Sequence, residues 1–144
     1  MIYFDAAYIA KCYLHEPGSS EIVRLAASSL AVASCEVARL EVIAAFRRHC
    51  AEGRVSRSDL TQLSDRFADD QAAGHWEWLP VTTALLRTAG QHLQALPTDA
   101  PLRTLDALHL TCAKEHGFTE VYTNDRQMLR AADSFGLSPI NILP

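Results

Sequence analysis

Five short runs of strand-forming residues, at 2–4, 30–33, 77–81, 120–123 and 139–142, alternate with longer stretches whose apolar residues recur at helical spacing. This alternation predicts an α/β fold with a largely parallel sheet, because parallel neighbours need a crossover connection between them. The helical stretches cover about 6–14, 19–28, 35–52, 57–73, 83–96, 102–116 and 126–135. Ser56 is placed to cap one helix, and Gly117 and Gly136 to end two others. Thr98-Asp99-Ala100-Pro101 reads as a loop. No repeat, low-complexity tract or linker divides residues 1–144, which predicts one domain.

With 49% hydrophobic and 21% charged residues, the chain is a globular protein rather than a disordered one. No apolar run approaches the ~20 residues that span a bilayer. Nor does a basic segment followed by an apolar one open the chain, so a cytoplasmic protein is expected. Cys12, Cys35, Cys50 and Cys112 are widely spaced with no CxxC pair, which predicts buried free thiols and no zinc site. The net charge of −4 argues against a broadly basic coat. Six of the 13 basic residues, Arg39, Arg47, Arg48, Arg54, Arg57 and Arg66, nevertheless fall in one stretch, so a polyanionic partner remains open.

Four acids stand out against this background. Asp5 and Asp125 follow the first and fourth strand candidates, where an open parallel sheet binds its ligands. Helix capping accounts for either one alone. On a helical projection Asp106 shares an arc with Leu102, Leu105, Leu108, His109, Cys112 and Ala113, opposite Arg103, Thr104, Ala107, Thr111 and Lys114. Glu41 lies on a stretch that is apolar almost all round, with Leu40, Val42, Ile43 and Phe46 covering its other sides. Buried carboxylates need a cation. A salt bridge would serve, for Glu41 with Arg39, Arg48 or Arg103; so would a hard divalent ion, for which oxygen ligands indicate Mg²⁺ or Mn²⁺. His109 lies one turn beyond Asp106 and is expected to be hydrogen-bonded and partly buried. The other histidines, His15, His49, His75, His92 and His116, are expected to reach solvent. Glu36 is a rival to Glu41, explained equally by a helix start.

The motifs Met1-Ile2-Tyr3-Phe4-Asp5, Val37-Ala38-Arg39-Leu40-Glu41-Val42, Arg103-Thr104-Leu105-Asp106-Ala107-Leu108-His109 and Val121-Tyr122-Thr123-Asn124-Asp125 occur in this order and span nearly the whole chain. Together they resemble the PIN-domain nucleases, specifically the VapC-type toxins of bacterial toxin–antitoxin pairs. The resemblance implies a three-layer α/β/α sandwich around a mostly parallel sheet of about five strands. It also implies a homodimer, a Mg²⁺- or Mn²⁺-dependent endoribonuclease acting on RNA, and inhibition by a separate antitoxin. Asp5, Glu41, Asp106 and Asp125 would hold one or two ions. Thr123 would hydrogen-bond within the cluster beside His109, and Arg48, Arg47 and Lys11 would grip the RNA backbone. The family commonly carries Ser or Thr just after the first acid, whereas Ala6 and Ala7 follow Asp5 here. A PIN-like module that binds RNA or protein without cleaving is the alternative. Tyr8, Tyr13 and Phe46 are candidates either for the core or for a protein contact.

Overall fold

In the computed structural model, which describes residues 1–143, every strand pairing is parallel. Strands β1 (Ile2–Tyr3), β2 (Val32–Cys35) and β3 (Trp76–Leu79) form one sheet, in that order. β4 (Glu120–Tyr122) and β5 (Ser138–Ile140) form a second. A single bridge, Phe4 with Tyr122, joins the two edge to edge. The expected five-stranded sheet is thus a three-plus-two arrangement, with the seam between β1 and β4. The chain builds outward from β1 to β3, then returns to add β4 on the other side of β1. That reversal opens a crevice at the carboxyl ends of β1 and β4.

Residue alternation along the strands supplies two cores. Tyr3, Ala33, Cys35 and Val121 face one side. There they meet α5 (Thr83–Ala95), α6 (Thr104–Glu115), α7 (Arg126–Ala131) and the 3-10 turn Ala132–Phe135. Phe4, Val32 and Trp76 face the other side. They meet α1 (Ala6–Lys11), α2 (Ser19–Ser28), α3 (Ala38–Ala51) and α4 (Arg57–Ala72). Helices on both faces make the α/β/α sandwich. The second core is aromatic: the Tyr13 ring meets Phe46 and Phe67 edge-on, with centroids 5.7 and 5.3 Å away. Its hydroxyl accepts from Trp76 Nε1 at 2.8 Å and donates to Asp70 at 2.7 Å, so no polar atom of the ring is stranded. Tyr8, Tyr13 and Phe46 are all buried and belong to this core, not to a contact surface.

The punctuation acts locally as expected. Ser56 forms a capping box with Asp59, and Gly117 and Gly136 adopt φ 78° and 72° behind their helices. Several expectations need correction. β2 runs two residues further than expected, to Cys35, and Leu30 lies outside it, fully exposed. Ser34 tolerates burial in that strand because its hydroxyl donates to Phe4 O at 2.8 Å. α6 is buried from Asp106 to Ala113, including Ala107 and Thr111, while Leu105 is exposed. A one-sided apolar arc is therefore the wrong picture of α6: it is covered by β2, α5 and α7 together. α3 is not covered all round either, since Leu40 and Ile43 are exposed. His49 is buried rather than solvated, held by Ala45 O and by Glu16 at 2.7 Å. All four cysteines are free, but only Cys35 and Cys112 are buried. Among the described residues, no helix is long and apolar enough to cross a membrane.

Candidate active site

A cleft of about 710 Å³ lies at the crevice between β1 and β4, and Asp5, Glu41, Asp106 and Asp125 all line it. Each acid arrives on a different segment. Asp5 leaves β1 as the N-cap of α1, one oxygen accepting from Tyr8 N at 2.8 Å. Asp125 caps α7, its Oδ1 accepting from the amides of Gln127 and Met128 at 2.8 and 3.0 Å. Asp106 sits in the first turn of the buried helix α6, and Glu41 in the first turn of α3. Capping and cleft lining therefore coincide at Asp5 and Asp125: one oxygen fixes the helix while the other is turned elsewhere.

Thr123 links the first and fourth acids. It is fully buried; its hydroxyl donates to Asp5 Oδ2 and accepts the Asp125 N–H at 3.0 Å. With no hydroxyl at Ala6 or Ala7, Asp5 takes one from Thr123, just past the end of β4. Burial still pushes the Asp5 carboxyl up to about 6, with Thr123 and the Tyr8 amide opposing the rise. Behind Glu41 stands a buried chain of three groups. His109 Nε2 meets Glu41 Oε2 at 2.7 Å, and His109 Nδ1 meets Tyr3 Oη at 2.9 Å. The Cys35 amide donates to that same Tyr3 oxygen at 3.1 Å. Burial works against a charge on His109, yet the bond and charge of Glu41 lift its pKa above the ordinary histidine value. Glu41 is partnered by His109, and by none of Arg39, Arg48 and Arg103, the alternatives for a salt bridge.

Arg103 is the residue that spacing did not single out for this place. Its Nε and one Nη donate to Asp106 at 2.7 and 3.1 Å, and the same Nη reaches Asp125 Oδ2 at 2.7 Å. The three-residue interval from Arg103 to Asp106 was the available signal; the reach to Asp125 was not in the sequence. Tyr3 and Asn124 were also missed, the one behind His109 and the other on the cleft wall. Of the expected RNA-gripping residues, Arg48 lines the cleft and Arg47 does not, although both are exposed. Lys11 does not line the cleft either; Glu16 holds it at 2.7 Å in a network with His49 and Arg54. Glu36 faces Arg39 at 3.6 Å and does not line the cleft.

As they stand, no three His, Cys, Asp or Glu side chains among the described residues are gathered closely enough to hold an ion. By donor type and charge the residues do fit one. All four donors are oxygen; among the described residues, the only permanent cation bonded to any of them is Arg103, and Asp5, 3% exposed, has no cation bonded to it.

Parallel strands with a switch-point crevice, and acids from four segments at its rim, define the class. A family model for the PIN domain matches residues 2–134. The chain is 31% identical over 141 residues to ribonuclease VapC46 of Mycobacterium tuberculosis, covering 96% of this chain and 95% of that one. The chain belongs to the PIN-domain family, and within it to the VapC-type ribonucleases. Solved structures share the fold. VapC20 of Mycobacterium tuberculosis, a sarcin–ricin-loop-cleaving toxin, superposes with TM-score 0.74 at 17% identity, over 91% of this chain and 95% of that one. FitAcB from Neisseria gonorrhoeae gives 0.70 at 15%, over 98% and 97%. VapBC2 from Rickettsia felis, bound to a DNA fragment from its promoter, gives 0.68 at 14%, over 98% of both chains.

Proposed function

We propose that this chain is a metal-dependent endoribonuclease, the toxin of a toxin–antitoxin pair, which hydrolyses RNA phosphodiester bonds. The observation that carries the reading is the convergence of Asp5, Glu41, Asp106 and Asp125 on one cleft at the switch point of the sheet. Its likeness to ribonuclease VapC46 supports RNA as substrate, and its likeness to the VapBC2 assembly supports a cognate antitoxin as partner. Leu40 and Ile43, three residues apart on α3, are both exposed and offer apolar surface for a homodimer or for that antitoxin. The protein works in the cytoplasm.

Asp5, Glu41, Asp106 and Asp125 would hold one or two Mg²⁺ or Mn²⁺ ions. When bound, such an ion supplies positive charge for the scissile phosphate and lowers the pKa of a water nucleophile. The protein's own groups do the positioning. Thr123 and the Tyr8 amide aim Asp5; the pair Tyr3 and His109 aims Glu41; the α7 amides fix Asp125. Arg48 at the cleft wall contacts the RNA backbone, which gives affinity without sequence information.

Cleavage mapping on total RNA, with Mg²⁺ and with chelator, tests the reading. Wild type is expected to cut only with the metal, and Asp106→Asn, still folded by circular dichroism, to cut not at all. Undiminished cutting by the variant or in chelator would refute the metal site.

A further inference from the structure

Arg103 stands where helix energetics disfavour it. It is the N-cap residue of α6, with the extended backbone of a cap (φ −74°, ψ 155°), yet makes no side-chain cap bond. A cation there also faces the positive end of the helix dipole, and Ser, Thr, Asp or Asn would serve the cap better. The guanidinium is instead folded onto two acids that lie 19 residues apart (125 − 106), with both Asp106 oxygens and Asp125 Oδ2 engaged. Asp125 Oδ1 is already taken by the α7 amides. The side chain that does this is 65% exposed, so these bonds rather than burial hold it on the two acids.

We propose that Arg103 is a built-in counter-cation that competes with the divalent ion. It holds Asp106 and Asp125 together in the metal-free protein and releases part of that grip when an ion enters. The inference rests on reading these acids as metal ligands. Each carboxylate oxygen bonded to the guanidinium has less electron density to offer an ion, and two cations sharing one carboxylate pair repel. Binding an ion therefore includes the cost of loosening Arg103, and the cleft's metal affinity is set by that exchange. The released guanidinium stays tethered at α6 beside the cleft, where a phosphate of the RNA can replace its lost partners. The same arrangement keeps the two like charges from forcing the cleft open before the metal arrives.

The test is calorimetric titration of Mn²⁺ into wild type, R103Q and R103K, with no RNA present. Because the guanidinium is largely solvated, R103Q is expected to bind about three- to tenfold more tightly, and R103K to fall between. R103Q should also melt at a lower temperature without metal and gain more from Mn²⁺ than wild type does. A residue that merely braced the ligands would give the opposite sign, weaker binding on removal. Equal or weaker binding in the folded variants overturns the proposal while leaving the metal site intact; if R103Q does not fold, R103K alone decides by the same criterion. No Mn²⁺ uptake by wild type or variants overturns the metal site itself, and the exchange with it.

Discussion

The Thr123 hydroxyl donates to the Asp5 carboxylate across 118 residues of chain, and the same oxygen accepts the amide of Asp125. Both side chains are buried, so neither has water to fall back on. Thr123→Val keeps the shape and removes both bonds. It should cost about 1–3 kcal/mol in urea unfolding, because a buried carboxylate and a half-buried amide both lose a partner. Thr123→Ser should recover most of the loss. A valine variant as stable as wild type would show that the hydroxyl is incidental.

Asp5 carries the opposite expectation. Its carboxyl is raised from 3.8 to about 6, chiefly by burial. A raised acid favours folding in its protonated form, so its contribution is present below pH 3.8 and is lost as pH climbs through 6. Above that, the ionised group is a burden on the metal-free protein. Asp5→Asn should therefore stabilise the protein by on the order of 1–2 kcal/mol at pH 8 in chelator, and abolish cleavage. Urea melts at pH 8 check it; a variant less stable than wild type would mean that Thr123 and the Tyr8 amide already outweigh the burial.

The architecture was readable from alternation because strand and helix periods are imposed by backbone geometry over several residues at a time. Boundaries were less so. Leu30 looked like strand by composition, but β2 is set by the pairing of Val32–Cys35 with β3, which Ser34 and Cys35 do not advertise. Asp106 and Glu41 were legible because an acid inside an apolar helix breaks a local rule; Asp5 and Asp125, both ordinary helix caps, were legible only by their place at strand ends. Their partners were not. Glu41 and His109 are 68 residues apart and Arg103 and Asp125 are 22 apart, and pairings of that kind depend on how α3, α6 and α7 pack. The burial of Ala107 and Thr111 failed for the same reason, since a helical projection cannot count the neighbours a helix will have.

His109 gives a pH dependence with a defined sign. Burial disfavours its charged form, but Glu41 more than offsets this and raises the pKa above the ordinary 6.5. A base raised by folding contributes stability that is fully present below its unfolded pKa and is lost as pH rises through the folded one. The stability gap between wild type and His109→Gln should be widest below pH 6.5 and narrow above it. It should not close, because neutral imidazole still donates to Glu41. A gap that widens with pH would place the charge elsewhere, on Cys35, whose thiol a bond from Cys112 and the nearby His109 hold below the ordinary value.

Arg47 and Arg48 are adjacent and both exposed, but only Arg48 lines the cleft. The difference separates a backbone contact from an ordinary solvated charge. In an Asp106→Asn background, where the RNA is not cut, Arg48→Ala should weaken binding of a single-stranded RNA. It should also reduce the slope of log affinity against log salt by about 0.7, the release expected for one phosphate contact. Arg47→Ala should leave that slope unchanged. Affinity measured at four or five salt concentrations settles it: equal slopes for both variants would remove Arg48 from the RNA path, and an effect confined to Arg47 would put the strand on the far side of α3.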